Sequence, residues 1–243
     1  MDGIIIVNKP SGWTSFDVVA RIRSLTGVKK VGHSGTLDPM ATGVLPVFLG
    51  KATKSIQYFL NGDKGYSGEM LLGIRTDTGD ADGKRISEDQ DIRISENGIR
   101  EAFSKYIGEI EQVPPMYSAV KFKGERLYKL ARKGIEVERQ PRKVKIYDLC
   151  ITDDVSHLAT DNRISFSVLC SKGTYIRQLV MDIGDDLGCG AHLTRLERTM
   201  ARPFHISQAI NMETIVTLAR IGQLATVIIN PEDVIVVNEG VKA

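Results

Sequence analysis

The residue best placed to do chemistry is Asp38, in the stretch GHSGTLDPMATG at residues 32–43, behind His33 and directly before Pro39. An ionised carboxylate can act as a nucleophile or accept a proton, provided it is held close to a reacting atom. Glycines at 32, 35 and 43 free the backbone around it, and Pro39 fixes the chain just after it. The same features suit a plain turn, because an aspartate caps turns and helices through its side-chain oxygens. A second string, SKGTYIRQL at 171–179, sets Tyr175 and Arg177 at the start of a helical pattern. Its plainest reading is a strand-to-helix corner with a surface arginine. Spacing alone leaves both strings open.

Other chemistries fit the spacing poorly. A phosphate-binding P-loop needs two glycines five residues apart before its lysine, whereas Gly43 and Gly50 lie seven apart before Lys51. DTGDADG at 77–83 resembles part of a calcium loop, but its first ligand position is Thr78 and its last is Asp89 rather than glutamate. Cys189 and His192 have no second pair nearby to complete a zinc site. Cys150, Cys170 and Cys189 are odd in number and widely spaced, which argues against a disulfide framework, and all three are expected to be buried thiols. No metal and no organic cofactor is expected.

These residues need elements to hold them. Gly3–Val7 reads as a buried strand and NKPSGW (8–13) as a turn. Thr14 with Asp17 forms a capping box for a helix that carries Val18, Val19, Ile22 and Leu25 inward and stops at Gly27. Residues 28–43 carry no periodicity and read as a loop leading into a strand at 44–49; a loop this long between ordered elements is usually functional. A strand is expected at 66–74, a polar loop at 75–94, and a helix capped by Ser95 with Ile99, Ala102, Phe103 and Tyr106 on one face. Residues 117–122 look like a strand and 126–133 like a short basic helix. Strands at 143–151 and 164–170 alternate with period two and are expected to pair. A helix at 175–187, a strand at 191–200 and a helix near 212–221 complete the pattern. Strands and helices in mixed order, without a regular βαβ repeat, give an α+β class.

At 243 residues, the chain is long enough for one large domain or one domain with a small appendage. Its apolar runs fall far short of the roughly 18 residues a membrane span requires. The N-terminus MDGIIIVNKP has an acidic residue where a secretory signal needs positive charge, so a cytoplasmic location is expected. Net charge is only +2, yet residues 121–145 hold ten Lys or Arg against three Glu, a local balance of +7 that leaves the rest of the chain at −5. So dense a basic segment suits a phosphate backbone as well as it suits a solvated surface.

Beyond single residues, GHSGTLDPMATGVLPVFLGKATK (32–54) resembles the signature of the TruB-type tRNA pseudouridine-55 synthases. NKPSGWTS (8–15), KGYSGEMLLGIRTDTGDADG (64–83), PPMYSAVKFKGERLYKLARKG (114–134) and SKGTYIRQLVMDIGDDLGCGAHLTRLERT (171–199) follow in the order the family shows. The resemblance covers nearly all of residues 3–205, and five strings in one order make chance agreement negligible. It implies the pseudouridine synthase fold, with a mixed, largely antiparallel sheet, flanking helices and a central RNA-binding cleft. The catalytic domain is expected over 1–210, followed by a short segment, 211–243. Family members continue into a small RNA-binding domain of the PUA type, expected here to be incomplete or absent.

The resemblance also implies a reaction. A uridine in the T-loop of tRNA, at position 55, is flipped out of its stack, its glycosidic bond is cleaved, and the uracil is rejoined through C5. Asp38 would be the catalytic carboxylate, either attacking C1′ or taking a proton from C2′. Arg177 would pair with it and favour its charged form. Tyr66 would stack on the flipped base, with Tyr175 and Leu196 closing the pocket. His33 would touch the RNA beside the displaced nucleotide, and Lys9 with Pro10 would support the catalytic loop. Lys121, Arg126 and Arg132 belong to the family's RNA-clamping region. The implied partner is the tRNA T-arm, bound by a monomer without a guide RNA. An alternative is a tRNA folding helper whose output does not depend on catalysis.

Overall fold

The structure, a computed structural model, describes residues 1–89, 91–92, 94–152 and 162–234. It is an α+β fold with a large, mostly antiparallel sheet and flanking helices. Two compact units divide the chain, one formed by Met1–Tyr66 with Leu196–Ala243 and the other by Ser67–Arg195.

The first unit is built on two strands with little polar character. Gly3–Lys9 runs antiparallel to Thr42–Leu49, with Ile5 opposite Val47, and every residue from Gly43 to Leu49 is buried. Such β-branched, apolar runs form strands because both faces can be covered. Ile4, Ile6, Val44, Phe48, Phe59 and Phe204 make one core cluster, in which Phe59 stacks on Phe204 at 5.6 Å. Full burial of each such side chain contributes about 1.5–3 kcal/mol. The helix Ser15–Thr26 begins at the Thr14–Asp17 capping box and ends at a left-handed Gly27, burying Val18, Val19 and Ile22. Ile210–Asn211 pairs in parallel with the end of the first strand, and the helix Met212–Arg220 follows it.

Thr42–Leu49 also takes a parallel partner on its other edge, with Thr42 beside Glu197 and Gly43 beside Arg198. Gly43 has φ of +98°, and a Cβ there would lie 2.3 Å from the Arg198 carbonyl oxygen. Only glycine permits both that conformation and that approach. The expected loop at 28–43 is shorter than its lack of periodicity suggests, because Val31–His33 pairs antiparallel with the end of Thr42–Leu49.

In the second unit, Arg142–Ile151 pairs antiparallel with Arg163–Cys170 on one edge, as expected, and with Gly108–Gln112 on the other. The helix Glu96–Ser104, capped by Ser95, buries Ile99, Ala102 and Phe103, and Phe103 meets Phe166 edge to face. The helix Ile176–Asp186 buries Leu179, Val180 and Ile183 along one stripe. The expected polar loop at 75–94 contains a hairpin, Ile74–Thr76 with Arg85–Glu88. The basic helix spans Leu127–Arg132, and of the strand expected at 117–122 only Lys121–Phe122 forms. Cys170 and Cys189 are buried thiols, but Cys150 is exposed. It neighbours buried Leu149 on a strand, and the pleat turns adjacent residues to opposite faces.

Candidate active site

In the first unit, residues 34–41 carry Asp38 from the short strand Val31–His33 into Thr42–Leu49. The loop is pinned on both sides of that residue. Before it, the Ser15 hydroxyl accepts from the Leu37 amide at 2.9 Å and donates to the Leu37 carbonyl at 3.2 Å, while the Leu37 side chain is buried. After it, the Pro39 carbonyl accepts from the Gly12 amide at 2.9 Å and from Lys9 Nζ at 3.1 Å. Ser11 Oγ donates to the Met40 carbonyl at 3.2 Å. The string NKPSGWTS thus works as a clamp of backbone and hydroxyl groups under the loop, leaving the Asp38 side chain half-exposed.

Lys9 is 0% exposed and spends its three donors on the carbonyls of Pro10, Trp13 and Pro39. Burial lowers its pKa to about 8; Asp38 opposes that shift and Arg198 adds to it. Arg198 is a second buried cation, 1% exposed. Its Nε donates to the Val44 carbonyl at 2.7 Å and one terminal nitrogen donates to the Gly35 carbonyl at 3.0 Å. It also hydrogen-bonds the Tyr66 phenol. Burial pulls its pKa below the usual guanidinium value, with Tyr66 and Asp38 opposing. Tyr66 is half-buried on the strand Lys64–Leu72, and Leu196 is buried beside the start of Thr42–Leu49, its carbonyl accepting from Thr42 Oγ1. Burial, then Arg198, push the His33 pKa down, which keeps the imidazole neutral at pH 7.

Arg177 lies in the second unit, on the first turn of Ile176–Asp186, and it is buried rather than at the surface. Its terminal nitrogens donate to the carbonyls of Thr78 and Tyr117, each at 2.8 Å, and its Nε lies 3.5 Å from Asp80 Oδ2. Asp80 is positioned by its own loop: Thr78 Oγ1 donates to Oδ1 at 2.6 Å and the Asp82 amide donates to the same oxygen at 3.2 Å. The string DTGDADG is therefore a scaffold for a guanidinium. Tyr175 caps the helix with its backbone and is gripped by the buried Gln112, which accepts from the Tyr175 amide at 2.9 Å and donates to its carbonyl at 3.1 Å.

Nine of the ten cations in 121–145 are exposed. Lys133, Arg139 and Lys143 are tied to Glu125, Glu136 and Glu109. Among the described residues, no acidic side chain lies within ion-pair distance of Lys121, Arg126 or Arg132, although the Arg132 guanidinium sits 5.5 Å above the Tyr128 ring. Among the described residues, no group of three or more His, Cys, Asp or Glu is placed to hold a metal ion, and no helix is long and apolar enough to cross a membrane.

Asp38, Tyr66, His33, Lys9 and Leu196 thus fall in the first unit, and Arg177, Tyr175, Lys121, Arg126 and Arg132 in the second. Sequence reasoning missed Arg198 and Asp80. For Arg198 a signal existed: it stands two residues after Leu196, and the alternation around Glu197 buries both, so an arginine stands at a core position. For Asp80, the calcium-like string drew attention to ligand spacing and away from the buried arginine.

Comparison with known proteins follows the same lines. Residues 23–176 match the family model described as TruB family pseudouridylate synthase (N terminal domain), and residues 177–236 match that of the tRNA pseudouridylate synthase B C-terminal domain. The chain is 45% identical over 233 residues to tRNA pseudouridine synthase B of Geobacter sulfurreducens, covering 96% of this chain and 75% of that one. It is 50% identical over 215 residues to the protein of the same name from Clostridium tetani, covering 88% and 73%. Among solved structures it resembles a chain of a Cbf5-Nop10-Gar1 complex, with a TM-score of 0.71 and 32% identity over 92% of this chain and 56% of that one. The matched models and relatives span the residues that build the Asp38 loop, the Arg177 helix and the strands between, and the chain belongs to the TruB family of pseudouridylate synthases.

Proposed function

We propose that the chain converts uridine 55 in the T-loop of tRNA to pseudouridine. The observation that carries this reading is the Asp38 loop, clamped on both sides of a half-exposed carboxylate with two buried cations, Lys9 and Arg198, responding to its charge. The bond between C1′ and N1 breaks, N1 gains a proton, a bond forms between C1′ and C5, and the C5 proton leaves. The net composition is unchanged. Asp38 either adds to C1′ or removes a C2′ proton, and both routes use it ionised. In this reading Arg177 pairs with Asp38, Tyr66 stacks on the extruded base, and Tyr175 and Leu196 close the pocket. His33 contacts the RNA as a neutral imidazole, and Lys121, Arg126 and Arg132 take phosphates. The relatives named tRNA pseudouridine synthase B support the substrate class.

Release of tritium from tRNA labelled at uridine C5 tests the reading. Wild type should release label from position 55 without any added guide RNA, and Asp38→Asn should release none while still binding. Binding without release by wild type would leave only the folding-helper alternative.

A further inference from the structure

We propose that Arg198 is a positioning residue, whose buried guanidinium holds the Tyr66 phenolic oxygen and the Gly35 and Val44 carbonyls in one fork so that Tyr66 and the Asp38 loop keep a single relative geometry. The role rests on the proposed reaction and adds to it a residue that sets its geometry.

The partners carry the argument. Arg198 is 1% exposed, and its hydrogen bonds go to neutral oxygens: the Val44 carbonyl at 2.7 Å, the Gly35 carbonyl at 3.0 Å and the Tyr66 phenol. Among the described residues no carboxylate is in ion-pair contact with Arg198; burying such a cation is costly, and an apolar side chain would fill the same space at less cost. The placement is explained by what the three acceptors are. Gly35 lies three residues before Asp38, on the loop that carries it. Val44 lies on the strand into which that loop runs. Tyr66 offers the aromatic face. A guanidinium is planar with its donors at fixed angles, so fixing one acceptor constrains the other two, which a flexible ammonium does not do.

Two further details agree. Gly43 lets the Arg198 backbone approach to a distance that a Cβ would block, so the arginine is braced against the same strand its side chain grips. A guanidinium only donates, so the Tyr66 oxygen accepts from Arg198 and its own hydrogen must point elsewhere. Arg198 thereby fixes the orientation of the hydroxyl as well as the ring. Asp38 is the anion whose charge Arg198 feels.

The test is a double-mutant cycle of Arg198→Lys and Tyr66→Phe, read as single-turnover tritium release from a T-arm stem-loop beside its binding affinity. Arg198→Lys should slow release by about 10- to 100-fold, the scale of a small misplacement of reacting groups, with affinity held within about threefold. Tyr66→Phe should cost less in the lysine background than in wild type, because part of its effect is already lost. A full-rate Arg198→Lys, a parallel fall of rate and affinity, or independent multiplication of the two effects would each overturn the positioning role. Should Arg198→Lys not fold, Tyr66→Phe decides alone: slower release at near-normal affinity supports the role and a full rate overturns it. Wild type that releases no tritium overturns the reaction and the positioning role together, whereas active wild type beside a full-rate Arg198→Lys overturns the positioning role alone.

Discussion

Lys9 shows how a single buried charge links the Asp38 loop to pH. Its ammonium holds the carbonyls of Pro10, Trp13 and Pro39, and burial lowers its pKa to about 8 from an ordinary 10.5. Between those two values the unfolded chain binds more protons than the folded one, so this group makes stability rise with pH through that window. Below about pH 8 the folded state carries the full burden of the buried charge. The consequence for activity runs the other way, since loss of the proton removes a donor from the grip beside Asp38. Single-turnover tritium release should therefore fall as pH rises through about 8, and Lys9→Met should flatten that limb while lowering the plateau. An alkaline limb that persists unchanged in Lys9→Met would show that another group titrates there. At this scale glycines and a proline marked the Asp38 loop in the sequence but suited a plain turn equally, and its reading as a catalytic carboxylate rests on the resemblance of the whole string to the family. Arg198 was not, because its meaning depends on which strand face is buried and on three acceptors up to 163 residues away in sequence.

Elements decide how firmly those residues are held. The helix Ser15–Thr26 presents the Ser15 hydroxyl to both backbone groups of Leu37, one residue before Asp38. Ser15→Ala leaves those buried groups unpaired, at a cost of about 1–3 kcal/mol per group, and should lower the thermal midpoint and the single-turnover rate together. Gly43→Ala is the harsher change. It combines a φ of +98° with a Cβ 2.3 Å from the Arg198 carbonyl oxygen, so the parallel pairing must open or the strand must shift. Little folded protein should be recovered, as judged by circular dichroism and soluble yield; a normal thermal midpoint would contradict the close approach. Long apolar strands and capped helices were readable because their periodicity and end signals agree. The edge strand Gly108–Gln112 and the hairpin at 74–88 were not, since exposed strands carry the polar and charged residues that loops also carry.

Across the whole chain, charge is the property that sequence totals conceal. A net +2 hides a segment of +7, and nine of its ten cations face solvent. Their distribution into paired and unpaired groups makes a prediction that counting alone does not. Lys143 already has Glu109 at 3.0 Å, and that carboxylate raises the Lys143 pKa, so an RNA phosphate would have to compete for it. Among the described residues, Arg126 and Lys121 have no such competitor within ion-pair distance. Each phosphate contact contributes about 0.7–0.9 to the slope of log affinity against log salt, through release of condensed counterions. Arg126→Ala and Lys121→Ala should each lower T-arm affinity and reduce that slope by nearly one contact, whereas Lys143→Ala should change it much less. Affinity should suffer far more than the single-turnover rate at saturating RNA, because in the proposed reading these side chains hold the backbone and do not touch the reacting base. Equal slopes for all three variants would mean that the acidic partners do not govern which cations meet the RNA.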